Sequence, residues 1–244
     1  MKWFNLAIFL MLSSACATAS SQGRLVWRVK EMALAQSPAI DLVGPNQQLV
    51  ATVSTRSVQN LLLAHFRIAR AAGVNPELVL IDGNDPNASV GVARGQYMLA
   101  VNIAMLKLIG EDIDEFASLL GHEYAHLAKG HIESSQARGR TLQAIGTLAA
   151  IGLGAAGVPG GGYIAGLGLD LIESSFSRDQ EREADAVGVD YVMTSGFDPQ
   201  GAIRLQEKLL KTSRGALLPF LTSHPGGEER IENLKALVRE KSAK

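Results

Sequence analysis

Several features that would indicate other classes of protein are scarce or absent in this 244-residue chain. It has a single cysteine, Cys16, so it cannot form a disulfide within itself. The formal net charge is −1, and there is no long basic or acidic run, which argues against nucleic acid as the main partner. We see no internal repeat. The length suits one domain that can bury a core.

The first fifteen residues predict a secretory signal of the lipoprotein type. Lys2 supplies the positive start, and residues 3–12 form an apolar stretch that is too short to span a bilayer as a helix. Small residues follow, as they do before a cleavage site. We therefore expect residues 1–15 to be a leader and not part of the fold.

Ser13-Ser14-Ala15-Cys16 resembles a bacterial lipobox, although Ser13 stands where that pattern usually has Leu. The resemblance implies cleavage before Cys16 and lipidation of this cysteine. Ala17 in the next position is similar to the pattern of lipoproteins sorted to the outer membrane. The alternative is ordinary cleavage after Ala17 or Ala19, which leaves a soluble secreted protein. Both routes place the mature chain outside the cytoplasm.

The rest of the chain predicts an α+β, predominantly helical fold. Residues 16–48 have weak periodicity and are interpreted as a tether with a short helix, and residues 49–244 as the main domain. Apolar spacing and capping residues predict helices at about 55–72, 112–130, 178–195 and 200–211, and a last helix from Pro225. Three short apolar runs predict a small sheet, with strands at 77–82, 89–93 and 96–102.

Residues 143–169 contain no charged side chain, which invites a transmembrane interpretation. However, nine glycines and Pro159 lie in this stretch and would break a spanning helix. We predict two helical arms that pack through Gly and Ala and are joined by a mobile loop. Whether this hairpin contacts a membrane stays open.

His122-Glu123-Tyr124-Ala125-His126 is the most informative pattern in the sequence. Residues four apart on a helix lie about 40° apart around its axis and roughly 6 Å apart along it, so both imidazoles can reach one cation. Glu123 is placed to act on a water bound to that cation. The alternative is that both histidines are ordinary packed residues, as we expect for His65. The pattern predicts metal-assisted hydrolysis of an amide bond.

A catalytic zinc usually takes three protein ligands, so a third must come from elsewhere. His131 is near, but Gly130 and His131 each miss by one position the offset of the HExxHxxGxxH pattern, which favours a place behind the ligands. Glu181 and Asp185 are four residues apart and share one helical face. One carboxylate can bind the metal while the other accepts the N–H of a ligand histidine. Glu183 points about 200° away from Glu181 and is predicted to face solvent.

Four segments together resemble the M48 family of zinc metallopeptidases, over about residues 50–240. They are the stretches 121–131 (GHEYAHLAKGH), 177–185 (SRDQEREAD), 87–88 (NA) and 223–225 (SHP), the last followed by Glu228-Glu229-Arg230-Ile231. Ser89-Val90 departs from the pattern, because many members carry an aromatic residue there, and this bears on the substrate cleft. Lipid-anchored or periplasmic members that handle outer-membrane proteins are the most similar.

The resemblance implies a zincin-like fold and one Zn²⁺, with three ligands: His122, His126 and Glu181. Glu123 would be the general base, and Asp185 would orient a ligand histidine. His224 would approach the zinc as a transition-state donor or as a removable fourth ligand, or else cap the last helix beside Pro225. The strand at 96–102 would pair with an extended substrate.

The function implied is a zinc endopeptidase of the bacterial cell envelope. Expected substrates are proteins or peptides, chiefly misfolded envelope proteins, in a quality-control role. Lipidated Cys16 would hold the chain at the outer membrane, facing the periplasm. The alternative is a zinc-stabilised envelope chaperone or assembly scaffold with little proteolysis.

Overall fold

The computed structural model describes residues 13–19, 24–93, 96–135, 170–171, 176–213 and 218–243. The strands are β1 (Ser13–Cys16), β2 (Thr18–Ala19), β3 (Leu25–Arg28), β4 (Ala39–Val43), β5 (Leu49–Ser54), β6 (Glu77–Ile81), β7 (Ala88–Ala93), β8 (Gln96–Asn102) and β9 (Asp170–Leu171). The helices are α1 (Val29–Met32), α2 (Thr55–Ala72), α3 (Ile103–Ile109), α4 (Ile113–Ala128), α5 (131–135 as far as it is described), α6 (Arg178–Thr194), α7 (Gln200–Ser213), α8 (Pro219–Ser223) and α9 (Glu228–Ser242). This is the predicted α+β, mainly helical architecture.

The main sheet has the strand order β2-β3-β6-β8-β7-β9. β6 and β8 run parallel, and the other neighbours in this sheet are antiparallel. β8 lies between β6 and β7, so both of its edges already have strand partners. The prediction that the strand at 96–102 pairs with substrate is therefore wrong. On β7, only residues 91–92 pair with β9, so the stretch 88–90 keeps an outer edge without a strand partner in the described part of the chain.

The N-terminal region differs from the predicted tether. β1, β4 and β5 form a second, three-stranded sheet, and β3 joins the main sheet. The short helix is present as α1, and Trp27 is buried in the core, where its indole N–H donates to the carbonyls of Ala15 and Val43. Strands of four or five residues have too little periodicity to be recognised from sequence alone. Residues 13–15, assigned to the leader, pair with β4, while cleavage before Cys16 stays a prediction.

Helix α4 forms the centre of the core. Every residue from Glu115 to Leu127 is buried, and α4 packs against α2, α6 and α7. Asp112 caps its start by accepting the backbone N–H groups of Asp114 and Glu115. The predicted end of α2 is confirmed, since Gly73 adopts the left-handed conformation (φ 67°) that ends helices. The last helix begins at Glu228 instead of Pro225, because Gly227 precedes it at a positive φ of 135°, which a helix cannot include.

Helices α4 and α6 approach each other most closely at Gly121 and Gly188. A Cβ atom on Gly188 would lie 2.9 Å from the backbone carbon of Gly121, which is closer than a packed atom can come. The crossing therefore requires glycine at both positions. It brings the HExxH segment of α4 directly against the first turns of α6.

Residues 143–169, where we predicted a hairpin, lie outside the described residues. Within the described ranges, every helix is too short or too polar to cross a bilayer.

Candidate metal centre

Three elements bring their polar side chains to one buried point. α4 contributes His122, Glu123 and His126, α6 contributes Glu181 and Asp185, and His224 ends α8. In the described part of the chain, one group of His, Cys, Asp or Glu residues is close enough to hold a metal ion, and its donor atoms all lie within 4.8 Å of one another. The group consists of His122, His126, Glu181 and His224.

The distances between these donor atoms suit zinc. His122 Nε2 lies 3.1 Å from both His126 Nε2 and His224 Nδ1, and the oxygens of Glu181 lie 3.1 to 3.4 Å from the three histidines. Zinc bonds of about 2.0–2.1 Å at tetrahedral angles put neighbouring donors about 3.3 Å apart. Two imidazoles and a carboxylate are also a typical donor set for catalytic zinc. The residues present therefore fit the metal that the sequence predicts.

The charges around His122 favour a cation at this point. Burial and Arg230 oppose a positive charge on His122, but the carboxylates of Glu181 and Asp185 outweigh them and raise its pKa to about 9. Burial opposes the charge on Glu181, yet His122 and the hydrogen bonds with the histidines hold the pKa of Glu181 far below its usual range. Burial lowers the pKa of His126 to about 2 despite its hydrogen bond with Glu181. His126 is therefore neutral, with a lone pair available.

Two residues support His122 from behind: Asp185, which is partly buried, and Arg230, which is buried. Its Nδ1 lies 3.0 Å from Asp185 Oδ1, the contact predicted for a carboxylate that orients a ligand histidine. Arg230 donates two hydrogen bonds to the Asp185 carboxylate, of 2.9 Å from Nε and 2.7 Å from an Nη. Burial disfavours the Asp185 carboxylate, but Arg230 and His122 lower its pKa to about 2. Arg230 also reaches Glu181, with Nη1 at 3.2 Å from its Oε2.

His126 is supported by different neighbours. Its Nδ1 lies 3.0 Å from His131 Nδ1, and His131 Nε2 lies 3.2 Å from Glu183 Oε2. The hydrogen bond from His131 lowers the pKa of Glu183. The ring of Phe176 stacks on His126 with 3.8 Å between centroids. Glu183 is exposed, as predicted, but it also contacts His131, because the start of α5 lies against α6.

Glu123 faces the same centre. Its side chain is buried, and Oε1 has no hydrogen-bond partner among the described residues. Burial raises its pKa, although His224 and His122 oppose this shift. His224 Nε2 is the nearest cation-forming group, at 3.4 Å. A small cavity of about 20 Å³ adjoins Glu123 and is lined on its far side by Ser89 and Val90 of β7.

The structure brings together the six chemistry-bearing residues singled out by sequence: His122, Glu123, His126, Glu181, Asp185 and His224. His131 lies outside the donor group, behind His126. His65 is packed, as expected, with Nδ1 2.6 Å from the hydroxyl of Tyr124. Two residues of the site were missed, Arg230 and Phe176. Arg230 lies in a segment that carries the family resemblance, which is the only signal that pointed to it.

Comparisons with known proteins agree with this centre. Residues 53–238 match the family model of Peptidase family M48. Metalloprotease LoiP of Escherichia coli (strain K12) is 28% identical over 173 residues, which are 69% of this chain and 67% of LoiP. Beta-barrel assembly-enhancing protease of the same organism is 33% identical over 131 residues, 50% of this chain and 26% of that protein.

A eukaryotic relative matches over a longer part of this chain. Mitochondrial metalloendopeptidase OMA1 of Schizosaccharomyces pombe is 29% identical over 193 residues, which are 78% of this chain and 55% of OMA1. The chain thus spans between about a quarter and two thirds of the length of these three relatives.

Proposed function

The chain belongs to peptidase family M48 and is a metalloendopeptidase, and from this premise we propose that it is a zinc endopeptidase of the bacterial cell envelope. We assign His122, His126 and Glu181 as the zinc ligands and Glu123 as the general base. The convergence of the four donor atoms within 4.8 Å, beside a buried glutamate that makes no hydrogen bond through Oε1 to the described residues, carries this proposal.

The chemistry divides between the metal and the side chains around it. A zinc ion held there would supply polarisation of the scissile carbonyl and a water of lowered pKa. Glu123 would take up a proton from the attacking water on its carboxylate and would deliver it to the leaving amine nitrogen. Burial raises the pKa of Glu123, which favours holding this proton between the two steps. Asp185 and Arg230 keep His122 in the tautomer that presents Nε2 to the centre.

His224 is proposed as a removable fourth ligand. Its Nδ1 lies 3.1 Å from both His122 Nε2 and a Glu181 oxygen, which are distances suited to the fourth corner of a tetrahedron. With His224 there, substrate must displace the loop before α9. We expect His224→Ala to change peptidase activity, upward if the ligand role dominates and downward if the residue mainly stabilises the transition state. Unchanged activity would contradict both roles.

The outer edge of β7 is the proposed docking strand for an extended substrate. Ser89 and Val90 border the cavity beside Glu123, and substrate backbone can pair along residues 88–90 by strand addition. Proline cannot donate a backbone hydrogen bond, so Val90→Pro should raise KM more than it lowers kcat. Val53→Pro on β5, away from the site, is the control for general damage to a strand.

The substrate class and the location are also proposals. A relative named for enhancing β-barrel assembly supports misfolded or unassembled envelope proteins as substrates. Cys16 is exposed, as lipidation requires, and we propose that it anchors the chain at the outer membrane. Fractionation of cells that express wild type or Cys16→Ser tests the anchor. Equal membrane association of the two would contradict it.

Glu123→Gln in purified, zinc-loaded protein tests the mechanism. We expect zinc to be retained and casein cleavage to be lost, because only the general base is removed. Preserved cleavage would refute the role of Glu123. The same variant expressed in cells separates the protease from the scaffold: full rescue of a deletion phenotype without cleavage would favour a chaperone or assembly scaffold.

A further inference from the structure

The two proposed ligand histidines of α4 differ in what holds their second nitrogen. Asp185 contacts His122 directly, and His122 is buried while Asp185 is partly buried. For His126, the neighbour is another histidine, His131, whose far nitrogen reaches Glu183 on α6. The mechanism proposed above uses neither His131 nor Glu183. Nevertheless, His131 is buried and makes both contacts with ring nitrogens, so these contacts need an explanation.

The tautomers along this chain of contacts follow from one condition. If His126 presents the lone pair of Nε2 to a cation, its Nδ1 carries the hydrogen and must donate it. His131 Nδ1, at 3.0 Å, is then the acceptor, so the hydrogen of His131 lies on Nε2. That N–H points to Glu183 Oε2, at 3.2 Å. Each hydrogen bond thus determines the direction of the next one.

We propose that His131 and Glu183 form a positioning relay that fixes the tautomer and ring orientation of His126. This inference rests on the proposed function, because it takes His126 as a metal ligand. His131 and Glu183 are positioning residues, since they act through His126 and do not touch the reacting atoms. The relay orients His126 as Asp185 orients His122, but the His131 ring lies between the ligand histidine and the carboxylate.

Further contacts hold His131 in place. The hydroxyl of Ser134 donates to the His131 carbonyl, and the amide of Gln180 donates to the same hydroxyl. The first turn of α5 is thereby tied to the start of α6. Lys129 Nζ lies 3.6 Å from Glu183 Oε1 and keeps that carboxylate beside α4, although the side chain of Glu183 is 49% exposed. The relay therefore leads from the buried centre to the protein surface.

The first test measures zinc affinity by competition with a chelator, using the full chain. We expect His131→Leu to weaken zinc binding by roughly 10–100-fold, the usual loss when a partner behind a ligand is removed. His131→Asn should recover much of this loss, because its carbonyl oxygen can occupy the place of Nδ1 as acceptor. Glu183→Ala should cause a smaller loss. Asp179→Ala is the matched control, since Asp179 is an exposed acidic residue on the same helix that pairs with Arg182.

The second test reads the tautomers by ¹⁵N NMR of the histidine rings in the zinc-loaded protein. The relay requires a hydrogen on Nδ1 of His126 and on Nε2 of His131. The Nδ1 of His131 must then be unprotonated. A hydrogen on His131 Nδ1 would overturn the proposal, because that nitrogen could not accept from His126. A purely packing role for His131 would not specify this tautomer.

The outcomes separate the relay from the proposed function. If wild type and Asp179→Ala bind one zinc tightly while His131→Leu and Glu183→Ala bind it equally well, the relay is refuted and the zinc centre stands. If wild type binds no zinc, the proposed function and the relay fall together. Should His131→Leu fail to fold, Glu183→Ala and the NMR measurement decide, because Glu183 lies at the surface.

Discussion

Glu115 and Glu123 lie eight residues apart on α4, and both side chains are almost completely buried. Burial raises the pKa of both carboxyl groups. Their neighbours differ. Glu115 Oε2 accepts a hydrogen bond of 2.8 Å from Lys208 Nζ, whereas the nearest cation-forming atom to Glu123 is His224 Nε2 at 3.4 Å. Lys208 is partly exposed, while His224 is buried.

Under the proposed function, this difference separates a structural glutamate, Glu115, from the general base, Glu123. The lysine beside Glu115 stabilises the carboxylate and connects α4 to α7, so this glutamate has a structural role. Glu123 has no such partner and faces a centre that attracts cations. A buried carboxyl that is not neutralised by its own ion pair can exchange a proton with a bound water. Burial alone therefore does not identify a catalytic glutamate, but its nearest partner does.

The largest expected effect is on catalysis and comes from the same substitution at the two positions. Glu123→Gln should lower kcat by about 10²–10⁴-fold, the range for loss of a general base. Glu115→Gln should leave kcat within a few-fold of wild type, because it touches no reacting group. Cleavage of a fluorogenic peptide by both zinc-loaded variants checks this. Similar losses in the two variants would remove the distinction between them.

The next effect concerns the metal. Glu181→Ala should weaken zinc binding by more than the roughly 10–100-fold typical of a residue behind a ligand, because it removes a donor. Glu115→Ala should leave the affinity unchanged, although it deletes an equally buried carboxylate. Chelator competition measures both. Unchanged affinity in Glu181→Ala would mean that Glu181 is not a zinc ligand.

The next prediction concerns the stability of the fold, which should depend on the pair of Glu115 and Lys208. Lys208→Met leaves the Glu115 carboxylate buried without its hydrogen-bond partner, and we expect a loss of about 1–3 kcal/mol in the free energy of unfolding. The low end is favoured, since the lysine is partly exposed. Adding Glu115→Gln to Lys208→Met should recover part of this loss. Urea unfolding of wild type, the two single variants and the double variant measures this recovery. Purely additive changes in the free energy of unfolding would contradict the pairing.

The raised pKa of Glu115 also predicts a dependence of stability on pH. Because the folded protein binds the proton more tightly than the unfolded chain, stability falls as pH rises from the ordinary value of 4.5 through the folded value. Glu115→Gln should remove this part of the dependence. Comparing urea midpoints of the two proteins at a series of pH values tests it. Parallel curves would mean that Glu115 is not destabilised by burial.

The smallest effect is expected at the cap of α4. Asp112→Ala removes the acceptor for two backbone N–H groups and should cost about 1 kcal/mol. Arg204, which binds the same carboxylate at 3.0 Å, lowers the pKa of Asp112 despite partial burial. This stabilisation is therefore present above the ordinary pKa of 3.8 and lost as pH falls below it. Thermal unfolding at neutral and acidic pH checks both statements, with Asp179→Ala as control.

The long helices could be predicted from the sequence because caps and apolar spacing act locally. Ser54, Asp112 and Ser177 each accept a backbone N–H at a predicted helix start. The strands of the N-terminal region could not be predicted, since four or five residues carry little periodicity and their pairing depends on distant partners. Short helices α3 and α8 were missed for the same reason.

Within the site, the predictable part consists of residues that share a helical face. The four-residue spacings of the HExxH segment and of Glu181 with Asp185 place those side chains correctly. Arg230 comes from a helix more than a hundred residues beyond His122, and the contact of Glu183 with His131 depends on how α5 folds over α6. A helical wheel gives the direction in which a side chain points but not what packs against it. These contacts are therefore tertiary and cannot be inferred from spacing.

The glycine crossing of α4 and α6 has a consequence for how this centre can vary. The backbones of Gly121 and Gly188 are in direct contact. The distance between the donor residues of α4 and those of α6 is therefore set by the two main chains and not by side chains. Because the contact is between two backbones, changes in neighbouring side chains cannot bring α4 and α6 closer together at this point. This backbone contact limits how closely the two halves of the donor set can approach each other. We expect alanine at either glycine to push the two helices apart, since its Cβ atom would lie 2.8 to 2.9 Å from the other backbone.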